Sequence, residues 1–266
     1  MSRTSPQRSL VSTLVLATIL AALVAAGTTG LAGLTGTTSS ASAAEKKDEK
    51  KPAKLKKNQA YVTPDYAARN IRSIAMTTPT TVEKTEKHEE TERLLTQSLG
   101  AAFSSAGYKM VPPSYVVDQS TRGGLAAQLA ALQKSFLAGA ALDTAACRAV
   151  GEKLLTDAIL FTNMTTLQRV RIDPNVRGQS FTQVGGELAM YSMKDATVLW
   201  RGSFQEKMDG PYNEPSAGEA TNIDPTGNAN KAAQLEPPSY AEVLQKFMGR
   251  VATTLPKPPA EAKPAP

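Results

Sequence analysis

The chain has 266 residues, with 30 basic and 24 acidic side chains, one histidine and one cysteine. A single cysteine excludes an internal disulfide, and one histidine beside it excludes the usual structural zinc sites. The net charge of +6 suggests a nucleic-acid binder until it is located. Arg3 and Arg8 carry two of these charges, and residues 45–57 (EKKDEKKPAKLKK) carry seven lysines against three acids. What is left is 21 basic and 21 acidic residues, so the body is neutral and lacks the basic surplus that nucleic acid requires.

Residues 1–43 read as a signal peptide. A short basic start precedes residues 10–27, which carry no charge, and Ala41-Ser42-Ala43 supplies an A-x-A-type cleavage site. The rival reading is an uncleaved inner-membrane anchor, because the apolar run is long enough to span. No cysteine follows the run, so lipid attachment there is excluded. Residues 44–67 read as a lysine-rich linker and lead-in. The lysines are either a solvated run or a weak tether to an anionic membrane surface. Tyr61 and Tyr66 are expected on the domain surface.

Residues 68–256 read as one domain. Residues 71–76 form a strand that Pro79 stops. Thr80-Thr81-Val82-Glu83 reads as a capping box opening a helix to Ala106, with Gly107 in the left-handed position after it. Leu95, Leu99, Ala102, Phe103 and Ala106 share one face of this helix, while its charged first half projects beyond the core. His88 shares the Leu95 face near the carboxyl end of the strand, where open α/β sheets often bind ligands, though a solvated face explains it more simply. Residues 108–111 are extended, and so are residues 114–118 (SYVVD). Gly123-Gly124 opens a helix over 125–137, which Gly139 breaks.

Asp143 is placed to cap a helix over 144–155. Ala146, Cys147, Val150, Gly151 and Leu154 line its buried face, which makes Cys147 a small core residue. Residues 157–164 (DAILFTNM) form a buried strand, completing a second parallel crossover. Residues 165–172, 181–193 and 198–208 are three extended stretches with turns and no helix between them, an antiparallel meander. Trp200 is expected in the core. Residues 210–238 form a long polar loop. Ser239-Tyr240-Ala241-Glu242 is a second capping box, and Tyr240, Val243, Leu244, Phe247, Met248 and Val251 give the cleanest amphipathic stripe in the chain. Residues 257–266 are a Pro/Ala-rich tail, expected to be extended and disordered.

The fold class is therefore α+β, an α/β sandwich. Its mixed sheet has βαβ units in the first half, an antiparallel meander in the second, and a C-terminal amphipathic helix packed on it. No G-x-S-x-G or Walker-type motif occurs, and Gly185-Gly186 lacks the dinucleotide-binding spacing. Turns and strand ends account for Asp118, Asp157, Glu187 and Asp195. No catalytic, cofactor-binding or metal-binding residue is assigned, and no cofactor is expected.

The segments IRSIAMTTPT, SSAGYKMVPPSYVVD, CRAVGEKLLTDAILFTNM and ELAMYSMKDATVLWRGSF together resemble a broad group of bacterial envelope proteins. That group shares a core like those of the curli-secretion protein CsgG and the TolB N-terminal domain, and includes many uncharacterised lipoproteins. Residues 154–161 (LLTDAILF), Asp195 and Leu199-Trp200 fit its middle strand and hairpin, while Met76-Thr77-Thr78-Pro79 departs from its usual first-strand ending. The group's lipid-anchoring cysteine is missing. The resemblance implies a fold and an envelope location, periplasmic or otherwise, and transfers no catalytic residue.

These readings favour a non-enzymatic exported envelope protein, a binding or accessory module for assembly, transport or secretion, with another envelope protein or complex as partner. The competing class is a carboxylate-dependent hydrolase acting on a cell-wall or glycan substrate. A deep pocket holding two carboxylates about 5–10 Å apart would favour the hydrolase; an exposed apolar patch or a free sheet edge would favour the binder. A pore-forming subunit is a weaker third reading.

Overall fold

Ala158, Ile159, Leu160 and Phe161 are all fully buried, which a strand achieves only with a layer against each face. The structure, a computed structural model, describes residues 55–81, 88–214 and 235–259 and contains both layers. The signal peptide, most of the lysine-rich run, Val82-Glu83, residues 215–234 and the end of the tail lie outside the described residues.

The strands are β1 (Gln59–Val62), β2 (Ser73–Met76), β3 (Thr80–Thr81), β4 (Lys109–Val111), β5 (Ala158–Val170), β6 (Gly178–Ser192) and β7 (Val198–Asn213). They form one sheet in the order β1-β7-β6-β5-β2-β4, with β3 also paired to β5. β2 runs parallel to β4 and β5, while β5, β6, β7 and β1 are antiparallel. The helices are α1 (His88–Ser105), α2 (Pro113–Arg122), α3 (Ala126–Leu137), α4 (Thr144–Leu154) and α5 (Tyr240–Thr254). This is the α+β sandwich with two parallel crossovers, a meander and a C-terminal helix on the sheet.

Side-chain alternation sorts the core into two clusters. Leu95, Leu99 and Phe103 of α1 and Val243, Leu244, Phe247 and Val251 of α5 pack on Ile74, Leu160, Leu188, Trp200 and Phe204. On the opposite face, Val116, Leu132, Phe136, Cys147 and Val150 pack on Ala75, Ile159, Phe161, Ala189 and Tyr191. Trp200 is fully buried and its Nε1 donates to Thr254 O at 3.1 Å, which ties the end of α5 to the sheet.

Three helix ends follow the local chemistry closely. Gly107 takes φ 102°, its N–H donates to Ser104 O, and Tyr108 N donates to Phe103 O, the paired bonds of a Schellman ending. Asp143 Oδ1 accepts from Ala145 N at 2.9 Å. Ser239 and Glu242 make both halves of their capping box.

Five expectations are corrected. Thr80 and Thr81 form β3 rather than a cap, with Thr80 Oγ1 donating to Thr162 O, because β5 has an open parallel edge there. Residues 114–118 are helical. Pro112 is the extended residue before α2, Pro113 starts it, and Val116 and Ser120, one turn apart, are buried. Residues 165–170 are not a separate strand: they continue β5 past a bulge between Met164 and Thr166. The lead-in is part of the sheet, since β1 pairs with β7, and Tyr66 is buried with its hydroxyl 2.6 Å from that of Tyr108. The first residues of the expected loop, 210–213, belong to β7.

Candidate functional site

At the amino ends of β2 and β5 the chain leaves a cleft of about 650 Å³, walled by the turn before β2, the end of α4 and the β6–β7 turn. Its charged lining consists of Asp65, Arg69, Arg148, Glu152, Asp157, Lys194 and Asp195. With four carboxylates in its lining, this cleft could hold the acid and the base of a two-carboxylate hydrolase.

Three of its four carboxylates, Asp65, Asp157 and Asp195, are committed to structure instead. Asp157 Oδ2 accepts from the N–H groups of Arg72 and Ser73, at 3.0 and 2.8 Å, and from Ser73 Oγ at 2.8 Å, so it fastens the start of β2 to that of β5. Asp195 Oδ1 accepts from Thr197 Oγ1 at 2.9 Å, and its Oδ2 accepts from Arg69 Nη1 at 2.7 Å. Partial burial pushes the Asp195 carboxyl up, but donors from Ser192, Arg69 and Thr197 outweigh this and hold it well below the usual carboxylate range. Asp65 is likewise lowered, first by Thr63 and then by Arg69. A general acid needs a raised pKa and a free proton, and Asp65 and Asp195 are pushed the other way.

The remaining residues singled out in the sequence do not converge on this cleft. Asp118 pairs with Arg122 along α2, and Glu187 pairs with Arg201 across β6 and β7 at 3.0 Å. His88 opens α1, but its side chain lies outside the described residues. Cys147 is buried on α4, and burial pushes its thiol up to about 11, the reverse of an activated nucleophile. Among the described residues no group of three metal-ligating side chains forms.

The second candidate is the outer edge of the sheet. Tyr61 and Val62 of β1 are 46% and 38% exposed. Thr63 N donates to Leu199 O, and the antiparallel alternation then turns the backbone groups of Ala60 and Val62 away from β7. No described strand pairs with that edge. The sequence left two clues to these sites unread: the Asp65–Arg69 spacing of an i,i+4 ion pair and the strand-favouring Tyr61-Val62 pair.

No protein-family model and no curated protein matches the chain. Among solved structures it is similar to lipoprotein GNA1162 from Neisseria meningitidis, at 18% identity and TM-score 0.39, covering 61% of this chain and 98% of that one. It is also similar to hypothetical protein CT253 from Chlamydia trachomatis, at 11% identity and TM-score 0.39, covering 68% and 96%. A minor lipoprotein from Acinetobacter baumannii is similar at 6% identity and TM-score 0.26, covering 69% and 92%. Likeness at this level carries no functional argument. Among the described residues no helix is long and apolar enough to cross a membrane.

Proposed function

We propose that this chain is a non-enzymatic module of the bacterial cell envelope that binds another envelope protein during assembly, transport or secretion. The observation that carries the reading is the open edge of β1, where Tyr61 and Val62 are exposed and the outward backbone groups of Ala60 and Val62 have no described strand beside them. Such an edge is a template for an added strand: main-chain hydrogen bonds would supply affinity, and Tyr61 an aromatic anchor. The commitment of Asp65, Asp157 and Asp195 to structural hydrogen bonds supports the same reading over a hydrolase in this cleft. In this proposal the leader directs export and the core is of the CsgG and TolB N-terminal kind.

The test is crosslinked capture from intact envelopes with the C-terminally tagged chain, compared with Val62→Pro and Tyr61→Ser. Val62→Pro removes an outward N–H without breaking a bond to β7, so it blocks strand addition while sparing the sheet. One dominant partner, lost in both variants, supports the reading. Empty captures under mild conditions, or a partner indifferent to both variants, overturn it.

A further inference from the structure

Beyond Phe161 the sheet face that carries α2, α3 and α4 continues on β5, β6 and β7 as a platform that no described helix covers. The register places its residues in rows: Asn163–Glu187–Ser203, Thr166–Gly185–Gln205 and Gln168–Gln183–Lys207. Three contacts confirm that these side chains share one face. Glu187 reaches Arg201 at 3.0 Å, Lys207 Nζ lies 4.4 Å above the Phe181 ring, and a Cβ built on Gly185 would meet Thr166 and Gln205. Thr166, Gln183, Ser203 and Gln205 are half-buried and Gln168 is exposed.

We propose that this platform binds an uncharged oligosaccharide. Its chemistry consists of amides and hydroxyls. Each glutamine offers an acceptor oxygen and two donor hydrogens at one tip, the complement of a sugar hydroxyl that both gives and takes. The side chains of Gln168, Gln183 and Gln205 have no protein hydrogen bond among the described residues. The rows stand about 7 Å apart along the strands and about 5 Å apart across them, a lattice for a chain of pyranose rings rather than for a single small molecule.

Charge selects against the other occupants. Glu187 is neutralised by Arg201, and Lys207 by Asp209 at 2.7 Å, so no net cation remains for a phosphate or sulfate backbone. A protein partner would want desolvated aromatic or aliphatic anchors at the centre of the patch, and the centre here is Gly185.

Gly185 lies beneath the middle row. A glycine inside a strand weakens it, and it often marks close approach by another group. Its neighbour Gly186 has a packing reason, since a Cβ there would stand 2.9 Å from Met164 Sδ and 3.0 Å from Asn163 O. A Cβ on Gly185 would stand 3.3 Å from the Thr166 Cβ and 3.5 Å from the Gln205 Cγ, a milder crowding that the facing strand would relieve by shifting a few tenths of an ångström. Packing therefore asks for glycine at 186 more than at 185. Gly185 is itself buried, so the Thr166 and Gln205 side chains close over it and are the surface that a sugar ring would meet in this row.

The inference does not depend on a protein partner, because its test uses purified chain alone. Cellohexaose, maltohexaose and chitohexaose are titrated calorimetrically into the wild type, Gln183→Ala, Gln205→Ala and Gly185→Ala, with thermal melts as the folding check. The expected result is binding of at least one of these sugars, weakened about tenfold or more in each variant, with melting unchanged in the glutamine variants. Failure of all three sugars to bind overturns the proposal, as does binding indifferent to the variants. Preference for heparin over the neutral sugars, or capture of a protein through this face, also overturns it.

Discussion

Arg69 Nη1 stands 2.7 Å from Asp195 Oδ2, joining the turn before β2 to the β6–β7 turn across 126 positions of sequence. The same guanidinium donates through Nε to Asp65 at 2.7 Å and through Nη1 to Thr197 Oγ1 at 2.7 Å. One planar fork thus holds two carboxylates and a hydroxyl, a task its rigid donor geometry suits and a lysine cannot reproduce. Arg69→Met is expected to lower stability by about 1 kcal/mol, the modest value set by solvent screening of the exposed carboxylates, measured by urea unfolding at neutral pH.

The depressed Asp195 carboxyl gives this site a pH signature. A group whose pKa is lower folded than unfolded contributes stability above its unfolded value, about 3.9, and loses it as pH falls through the folded value. The wild type is therefore expected to lose stability below about pH 4 through this group. Asp195→Asn starts less stable at neutral pH and shows a shallower decline in acid. Denaturation midpoints at several pH values between neutral and acid check it. Parallel curves for the two proteins would remove Asp195 from the account.

The Tyr66 and Tyr108 hydroxyls lie 2.6 Å apart, and Tyr108 donates onward to Pro256 O at 2.5 Å. The chain order of the bonds makes the two substitutions unequal. Tyr108→Phe strands both the Tyr66 hydroxyl and the Pro256 carbonyl, and is expected to cost about 2 kcal/mol or more. Tyr66→Phe removes only a donor to an oxygen that keeps its own acceptor, and is expected to cost about 1 kcal/mol. Equal costs in chemical denaturation would mean that the segment after α5 is not held by this bond.

What could be read in the sequence was local. The α4 stripe from Ala146 to Leu154 and the Ser239 capping box are written within a few turns of chain, so periodicity and cap chemistry sufficed. Residues 114–118 misled because Tyr115, Val116 and Val117 favour strands intrinsically, while burial of Val116 and Ser120 one turn apart decides for helix. β5 read as two pieces because its bulge shifts the alternation between Met164 and Leu167, both buried. Of the cleft, only the Asp65–Arg69 pair is local enough to be read. Its walls come from the lead-in, α4 and the β6–β7 turn, and pairs such as Arg69 with Asp195 exist only once the sheet has formed. The amide platform lay in plain sight as scattered glutamines, and only strand register places them in rows.

Gly151 shows two forces opposed at one helix position. Alanine there would gain about 1 kcal/mol of helix propensity. Its methyl would stand 2.6 Å from the Met193 Cβ, a clash that no flexible side-chain tip can relieve. The clash wins, and Gly151→Ala is expected to be destabilised by about 1–3 kcal/mol net. Met193→Gly alone opens a cavity, but in the double variant part of the Gly151→Ala loss is recovered. Additive losses would place the strain elsewhere.

Cys147 provides a readout of the whole α4 interface. It is fully buried, and burial raises its thiol to about 11, with the nearby Asp143 and Asp195 charges adding to the rise. Both the missing thiolate and the missing access suppress attack on a disulfide reagent. Native protein at neutral pH is therefore expected to leave Cys147 unmodified by an aromatic disulfide, and urea-unfolded protein to react stoichiometrically. Because the thiol sits under α4, the native rate should rise in Gly151→Ala as that helix lifts from Met193, and should not change in Tyr61→Ser at the far edge. Rapid labelling of the wild type would mean that α4 opens readily, and Cys147 would then count as a reactive thiol rather than a packing residue.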